Sequence, residues 1–353
     1  MEELMEYLKR AVYDKASDLF FIAGGPVCEK VEGQLVPIGK QKLLPPESSK
    51  LVDDIFHVAN RSPDVFMRDG DDDFSFAVPG FSRFRVNTFR QRGSMAAVIR
   101  IVTFDIPDWK EAHIPKEVMK LAELRSGMIL FAGTAGSGKT TTQACIVDRI
   151  NRTRSCHIVT LEDPIEFLHK NRKSIVSQRE VAIDTKDFRS GLRACLRQAP
   201  DVIQLGEMRD MQTIQTAMTA AETGHLVLAT LHTQGAVHSV NRVIDVFPAG
   251  QQKQIRMQLS TVLRTVVSQQ LMPHRDGGLV PAFEIMHIND AIRTHIREKK
   301  EHQMAMALAG GVDEGMMTMD KSILMLYREG SIDAETALKY AENREQMIRR
   351  MEG

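Results

Sequence analysis

The first hundred residues combine one helical pattern of apolar positions with several strand-like ones. Leu4, Leu8, Ala11 and Val12 fall on one face of a helix over residues 3–14. A second helix is predicted near residues 47–60. Alternation of apolar and polar residues, or short apolar runs, predicts strands at residues 18–22, 74–78, 83–89 and 96–102. The pattern therefore predicts an N-terminal α+β domain over residues 1–102.

The pattern changes after a stretch that has no clear period. Residues 103–116 carry Pro107 and Pro115 and are interpreted as an interdomain linker. Beyond them, short apolar strands alternate with helices, as a parallel α/β sheet requires. The predicted strands are residues 127–132, 157–161, 202–205 and 226–231, and the predicted helices are residues 139–151, 187–198, 211–222 and 235–246.

The rest of the chain is predicted to be helical. A helix from about Gln251 to Gln270 would place Ile255, Leu259 and Val262 on one face. Amphipathic helices continue from about Ile288. Residues 117–353 are therefore predicted to form one α/β domain with a helical C-terminal part.

Residues 133–140 read GTAGSGKT, a complete phosphate-binding loop of the G-x-x-x-x-G-K-[ST] type. A strand leads into it and a helix follows, which is the context that separates this motif from a plain glycine-rich turn. Backbone N–H groups of such a loop converge on a polyphosphate, Lys139 can reach the β- and γ-phosphates, and the Thr140 hydroxyl can bind Mg²⁺. The predicted nucleotide-binding residues are Gly133, Thr134, Ala135, Gly136, Ser137, Gly138, Lys139, Thr140 and Thr141.

Two acidic segments follow later strands of the same region. Glu162 and Glu166 lie in EDPIEF, at a strand end where open α/β sheets bind ligands, and could hold Mg²⁺ or polarise water. Glu207 follows an apolar strand and Gly206, as in a Walker-B-type element, and would orient or deprotonate the water that attacks the γ-phosphate. The alternatives are a solvated acidic turn for the first segment and a helix cap for the second.

Two histidines and a group of arginines complete the candidates. His232, after the strand 226–231, could sense the γ-phosphate, whereas His225 lies at the opposite end of that strand and suits packing. Arg85 and Arg100 could be supplied across a domain or subunit border to stabilise the transition state, with Arg92 as a weaker candidate. A solvated basic face is the alternative. The stripe of Arg189, Arg193 and Arg197 suits an interface or surface.

Composition narrows the class of protein. Lys+Arg and Asp+Glu number 46 each, so the net charge gives no global attraction to nucleic acid or anionic lipid. The four cysteines are scattered without a C-x-x-C pair, which favours reduced thiols over a zinc site. The N-terminus does not resemble a signal peptide, and no apolar run is long enough to span a bilayer. We expect a soluble protein that reaches a membrane only through a partner.

The motifs GTAGSGKT, LEDPIEF, QLGEMRD and TGHLVLATLHT together resemble the secretion ATPase superfamily, where they are the Walker A, Asp box, Walker B and His box elements. RFRVN at residues 83–87, AETGHL at 221–226, DVFP at 245–248 and AIRTHIRE at 291–298 narrow the resemblance to the type IV pilus retraction ATPases, PilT-like or PilU-like. The resemblance covers nearly the whole chain. Two departures, Phe20 and the Thr294-His295 pair, leave the choice between main motor and accessory paralogue open.

This resemblance implies a PAS-like N-terminal domain followed by a RecA-like P-loop ATPase domain, assembled as a homohexamer with ATP and Mg²⁺. It implies that Glu166 and Glu207 are the acidic active-site residues. It also implies that His225 and His232 belong to the His box and that Arg85 and Arg100 act in trans. It further implies a cytoplasmic ring at the inner face of the membrane, working on an inner-membrane platform protein to retract pili, with no direct contact to nucleic acid.

Two other functions remain compatible with the residues alone. A nucleic-acid translocase or helicase with a RecA-like core would use the same loop and Glu207, although one Trp and four Tyr offer few stacking platforms. A regulator that binds ATP without turnover would leave Glu207 and the arginines idle.

Overall fold

The computed structural model of the chain describes residues 1–31, 33–78, 81–102 and 106–352. The chain forms two compact units. The first comprises Met1–Asp105 with the short segment Glu166–Leu168, and the second comprises Ile106–Ile165 and His169–Gly353. Of the predicted linker 103–116, residues 103–105 lie outside the described residues, and the part from Ile106 onward belongs to the second unit.

The first unit contains three helices and six strands among its described residues. In chain order they are α1 (Glu2–Tyr13), β1 (Asp18–Phe21), β2 (Cys28–Val31), β3 (Gln34–Pro37), α2 (Pro45–Val58), α3 (Asp64–Asp69), β4 (Asp71–Val78), β5 (Ser82–Gln91) and β6 (Ser94–Val102). The predicted helices near 3–14 and 47–60 and the antiparallel strands are confirmed within a few residues.

The six strands form an antiparallel sheet in the order β3-β2-β1-β6-β5-β4. Helices α1 and α2 contribute Leu4, Leu8 and Ile55 to a core that also holds Phe21 and Phe84 from the sheet. The alternation of buried and half-buried positions along β5 leaves Arg83 and Arg85 on the opposite face from this core.

The first helix of the second unit is α4, and the unit ends with small helices. Its described elements are α4 (Lys116–Lys120), β7 (Gly127–Ala132), α5 (Lys139–Thr153), β8 (His157–Glu162), β9 (Ile175–Glu180), α6 (Phe188–Cys195), β10 (Val202–Leu205), α7 (Met211–Glu222), β11 (Leu226–Leu231), α8 (Ala236–Asp245), α9 (Ala249–Val262), β12 (Leu263–Pro273), β13 (Leu279–His287), α10 (Asp290–Glu298), α11 (Glu301–Gly310), α12 (Met319–Arg328), α13 (Ala334–Tyr340) and α14 (Arg344–Glu352), with single 3₁₀ turns at Leu121–Glu123 and Val312–Glu314.

Seven strands form the sheet of this unit, in the order β13-β12-β7-β11-β10-β8-β9. All neighbours are parallel except β12 and β13, which pair antiparallel. The carboxyl ends of β7, β11, β10 and β8 therefore meet at one edge. The four strands predicted from the sequence are the buried centre of this sheet, and the overall class is a mixed α/β fold.

The predicted helix over residues 251–270 is wrong in its second half. Helix α9 ends at Val262, and strand β12 begins at Leu263. The apolar residues keep a helical spacing through this junction, but β12 lies between β7 and β13 and is buried on both faces, so alternation was not visible. Strands β9 and β13 were also missed, because β13 is a continuous buried run and β9 is only partly buried.

The C-terminal helices have a small core of their own. Met319, Ile323 and Met347 of α12 and α14 pack with Met272 and Val280 from the far ends of β12 and β13. The predicted helical end of the chain from about Ile288 is confirmed. Within the described parts of the chain, none of the helices combines the length and apolar character that crossing a membrane requires.

Candidate active site

The phosphate-binding loop connects the carboxyl end of β7 to the first turn of α5. β7 is buried along its whole length, and α5 begins at Lys139. The Lys139 ammonium donates to the backbone carbonyls of Gly133 and Thr134, each at 2.7 Å. The loop backbone therefore surrounds the Lys139 ammonium, which lies next to the positively charged N-terminus of α5.

Two glycines of the loop are required by close backbone approaches. Gly133 (φ +143°) and Gly138 (φ +87°) have conformations that other residues rarely adopt. A Cβ at Gly133 would lie 2.4 Å from the Gln269 carbonyl oxygen, and one at Gly138 would lie 2.6 Å from the Gln269 side-chain nitrogen. Strand β12 thus forms a wall of the loop, and a side chain at Gly133 or Gly138 would collide with Gln269 on this wall.

Thr230 of β11 holds both neighbours of Glu207. The Thr230 carbonyl accepts the N–H of Met208 at 3.1 Å, and its hydroxyl donates to the carbonyl of Gly206. The N–H of Gly206 in turn donates to the Leu161 carbonyl at 2.8 Å. Glu207 is consequently fixed at the carboxyl edge of the sheet, between the ends of β11 and β8.

The Glu207 carboxylate has two cationic or polar neighbours. One oxygen accepts from the Arg209 guanidinium at 2.8 Å and lies 3.5 Å from Nε2 of His232. Because Leu231 pairs with Ala132, His232 emerges next to the start of the phosphate loop. The structure thus brings Glu207, His232 and the loop to adjacent positions on one edge, as a hydrolytic site requires.

A cavity of about 600 Å³ opens beside Glu207. Arg189 and Arg209 supply positive charge to its wall, and Asp187 and Asp210 supply negative charge. Arg189, Arg193 and Arg197 are exposed, in agreement with the surface stripe expected from the sequence.

Glu162 and Glu166 have different surroundings. Glu162 ends β8 and is buried, and its carboxylate accepts from the Thr160 hydroxyl at 2.6 Å and from the Gln178 amide at 3.0 Å. The strand register places it next to Gly206, where a Cβ added to the glycine would lie 3.4 Å from the Glu162 Cα. Glu166 is exposed beyond the strand end, so the register does not fix its position.

Arg85 and Arg100 lie in the first unit, on neighbouring strands. They are directly paired across β5 and β6. Arg85 contacts Asp73 at 3.3 Å, and Arg100 contacts Asp18 at 2.9 Å. Together with Asn87 and Val98, these four side chains line a cavity of about 270 Å³. The two arginines therefore form one exposed basic pair with acidic neighbours.

His225 lies at the other end of β11, as the sequence predicted. Its Nδ1 is 2.8 Å from the Ala220 carbonyl and 3.1 Å from the Thr223 hydroxyl, so it joins the end of α7 to the strand. Among the described residues, no three His, Cys, Asp or Glu side chains gather in a cluster that could hold a metal ion.

Comparison with known proteins identifies the family. Residues 1–349 match the family described as "Type II/IV secretion system protein". The chain belongs to this family.

Relatives within the family agree along nearly the whole chain. The twitching motility protein of Neisseria gonorrhoeae is 42% identical over 319 residues, which are 90% of this chain and 85% of that protein. The type IV pilus retraction ATPase PilT of Pseudomonas aeruginosa is 41% identical over 340 residues, covering 96% and 98%. A crystal structure of the pilus retraction motor PilT with bound ADP superposes with a TM-score of 0.88 at 42% identity, covering 98% of both chains.

Sequence reasoning about this family member missed the residues that hold the site together. Thr230 supports both neighbours of Glu207, Arg209 contacts its carboxylate, and Gln269 walls the phosphate loop. Arg209 follows Glu207 by two positions and was within reach of motif reasoning. Gln269 was not, because it lies on the strand that was interpreted as helix.

Proposed function

We propose that the chain is an ATP-hydrolysing motor that powers the retraction of type IV pili. The observation that carries this proposal is the shared sheet edge on which the loop around Lys139 lies beside the contact between Glu207 and His232. The similarity to PilT and to a twitching motility protein over almost the full chain supports the biological role.

The residues of the site suit ATP as substrate. Loop residues 133–141 would hold the phosphates, with Lys139 neutralising their charge. Glu207 would accept the proton of the attacking water, and Arg209 would position its carboxylate. His232 would donate a hydrogen bond to the γ-phosphate and report its presence to the following loop.

Mg²⁺ fits the donor set of this edge, because hydroxyl and carboxylate oxygens are the ligands that it prefers. We assign the Thr140 hydroxyl as its direct ligand and Glu162 as a carboxylate that acts on the same ion. When bound, Mg²⁺ would neutralise charge that develops on the phosphates. Glu166 would contribute a second acidic group in the site.

We assign Arg85 and Arg100 to the site of a neighbouring subunit in a homohexameric ring. In this arrangement each ATP is held by the loop of one copy, and the basic pair of the next copy stabilises the transition state. The corresponding domains are a PAS-like domain over residues 1–102, a linker over 103–116 and a RecA-like domain over 117–353. The ring would work in the cytoplasm, at the inner face of the membrane, on a platform protein of the pilus machine.

Replacement of the loop lysine tests the proposed chemistry. Lys139→Ala should lower steady-state ATP hydrolysis to below about 1% of wild type, because the phosphates lose their cation. Lys253→Ala, on the exposed side of α9, is the matched control and should retain full activity. An active Lys139→Ala protein would overturn the assignment.

Sharing between subunits predicts complementation. Arg85→Ala and Lys139→Ala proteins should each be inactive, while their mixture should regain activity, since roughly a quarter of randomly formed interfaces would join an intact loop to an intact arginine. A mixture as inactive as its components would contradict the trans arrangement.

Two further measurements separate the alternatives. Stimulation of ATPase activity by single-stranded DNA or RNA, lost at raised salt, would favour a nucleic-acid translocase. Absence of turnover in the wild-type protein would favour a nucleotide-binding regulator.

In the host, deletion of the chain should leave pili that form and cannot be withdrawn, and a strain that still retracts its pili would argue against the main motor.

A further inference from the structure

Glu284 is a buried carboxylate outside the site described above. It lies on β13 and is 4% exposed. One oxygen accepts the N–H of Ala236, the first residue of α8, at 2.6 Å. The other accepts the N–H of Met319, the first residue of α12, at 3.4 Å. One side chain thus binds the N-termini of two helices that are far apart in sequence.

The first of these helices starts directly after the loop that carries His232. Ser268, which pairs with Glu284 across β12 and β13, accepts the N–H of Gly235 at 3.1 Å. The Ser268–Glu284 pair therefore binds two successive amides, at the end of the loop 232–235. His232, at the start of this loop, lies 3.5 Å from the Glu207 carboxylate. Ser268 and Glu284 therefore hold the opposite end of the loop from the one that carries His232.

The second helix belongs to the C-terminal helical group. Asp320, next to Met319, accepts the N–H groups of Glu342 at 2.7 Å and Asn343 at 3.1 Å, at the start of α14. Glu284 thereby connects the end of the His232 loop to the first residue of α12. Asp320 of α12 extends this connection to the start of α14.

We propose that Glu284 is a positioning residue for ATP hydrolysis, which sets the placement of His232 against Glu207 and ties that placement to the C-terminal helices. This inference rests on the proposed ATPase function. The ionised carboxylate offers a strong acceptor oxygen to each amide at once. A neutral carboxyl keeps only one strong acceptor oxygen, and an amide group must turn its NH₂ donor toward one of the N–H groups. Full positioning therefore requires the ionised form.

The surroundings make that form sensitive to pH near neutrality. Burial raises the pKa of Glu284 to about 7, although the N–H groups of Ala236 and Met319 oppose this shift, and the negative charges of Glu342 and Asp320 add to it. Burial and Asp320 also raise the pKa of Glu342, and His238 of α8 lowers it. These are the charged groups that face Glu284 from α8, α12 and the segment before α14.

Steady-state kinetics of three variants test the proposal. Glu284→Ala should lower kcat about tenfold or more at pH 8 and change the KM for ATP less than about threefold, because the phosphate loop is built on other residues. Glu284→Gln should match wild type within about twofold at pH 6, and fall about three- to tenfold below it at pH 8. Ser322→Ala is the matched control: its hydroxyl accepts the N–H of Phe283, next to Glu284, without reaching the loop, and kcat should stay unchanged.

Three results would each overturn the inference. These are a Glu284→Ala protein with wild-type kcat at pH 8, a ratio of Glu284→Gln to wild type that is equal at pH 6 and pH 8, and a Ser322→Ala protein as impaired as Glu284→Ala. A wild-type protein without ATPase activity would instead remove the proposed function itself, so the two failures are distinguishable.

Discussion

Arg85 and Arg100 stand directly opposite each other across β5 and β6, and each is paired with a different aspartate, Asp73 and Asp18. Two guanidinium groups on adjacent strands repel each other, so the two carboxylates stabilise a basic pair that would otherwise spread apart. The arginine side chains remain 40% and 66% exposed. Both guanidinium groups are therefore exposed to solvent, as the proposed sharing of sites between subunits requires.

Replacing either arginine by alanine should remove hydrolysis without unfolding the protein. An arginine supplied to a phosphoryl transition state is worth roughly 10³–10⁵ in rate, whereas exposed ion pairs contribute only about 0–1 kcal/mol to stability. Steady-state ATPase assays and denaturant unfolding measure the two effects. Arg90→Ala, whose guanidinium lies over the Phe66 ring, is the control and should keep wild-type hydrolysis. An Arg85→Ala or Arg100→Ala protein with wild-type kcat would contradict the role.

Glu207→Gln should bind ATP and fail to hydrolyse it. The amide oxygen can still accept the Arg209 hydrogen bond, but the group can no longer accept a proton, and loss of a general base costs about 10²–10⁴ in rate. Binding of a fluorescent ATP analogue and steady-state turnover separate the two properties. Glu222→Gln, at the exposed end of α7, should behave as wild type. Turnover of Glu207→Gln above a tenth of wild type would exclude Glu207 as the base.

The hydrogen bond between the buried Thr142 hydroxyl and the Gln269 amide oxygen (2.8 Å) joins α5 to the strand that walls the loop. Thr142→Val and Gln269→Leu should each lower the free energy of unfolding by about 1–3 kcal/mol, because each leaves a buried partner unpaired. The double variant should lose less than the sum of the two. Additive losses in a double-mutant cycle would show that the two side chains do not interact.

Asp210 caps α7, accepting the N–H groups of Gln212 at 3.0 Å and Thr213 at 2.9 Å. Asp210→Ala should lower the free energy of unfolding by about 1 kcal/mol at pH 7, and Asp210→Asn by much less. Although burial acts to raise it, the hydrogen bonds from Thr213 and Gln212 leave the pKa of Asp210 below its usual value. The stabilisation by the charged cap is therefore present above the unfolded-state pKa and is lost as the pH falls through the folded-state pKa.

Chemical denaturation of Asp210→Ala at pH 7 and pH 3 measures this loss. The difference from wild type should shrink at pH 3. Asp276→Ala, in the exposed turn between β12 and β13, should match wild type at both pH values. An Asp210→Ala deficit that is as large at pH 3 as at pH 7 would show that charge does not contribute to the cap.

Glu284 should make the protein less stable as the pH rises toward neutrality. Its folded-state pKa, about 7, lies above the value of an unfolded glutamate, so its contribution is fully present below the unfolded pKa and is lost as the pH rises through 7. Glu284→Gln cannot ionise and should therefore gain melting temperature relative to wild type between pH 5 and pH 8. A difference in melting temperature between Glu284→Gln and wild type that stays constant from pH 5 to pH 8 would show that Glu284 does not ionise in the folded protein.

The local sequence pattern is sufficient to predict the central strands of the second sheet, but it is insufficient to predict the strands at the margins of that sheet. The apolar runs at Gly127–Ala132 and Leu226–Leu231 have the bounds of β7 and β11, because each is a short buried strand followed by a helix start. Strand β12 follows α9 without a connecting turn, so no glycine or proline marks the change from helix to strand.

The candidate site divides in the same way. Lys139, Glu207 and His232 follow strands whose order along the edge is set by the parallel topology, and motif spacing is enough to predict them. The supporting contacts of Thr230, Gln269 and Glu284 depend on which strands become neighbours in the sheet. Such long-range pairing leaves no trace in a local window of sequence, so these residues emerge only from the three-dimensional structure.

The ladder between β12 and β13 continues past the end of the pairing between β12 and β7. The pairing of β12 with β7 ends at Ser268, while β12 and β13 remain paired as far as Pro273 and Leu279. This projecting ribbon walls the phosphate loop on one side and carries the C-terminal helices at its tip. The C-terminal helices and one wall of the phosphate loop are therefore built on a single continuous ribbon, so a substitution that displaces the ribbon would alter both at once.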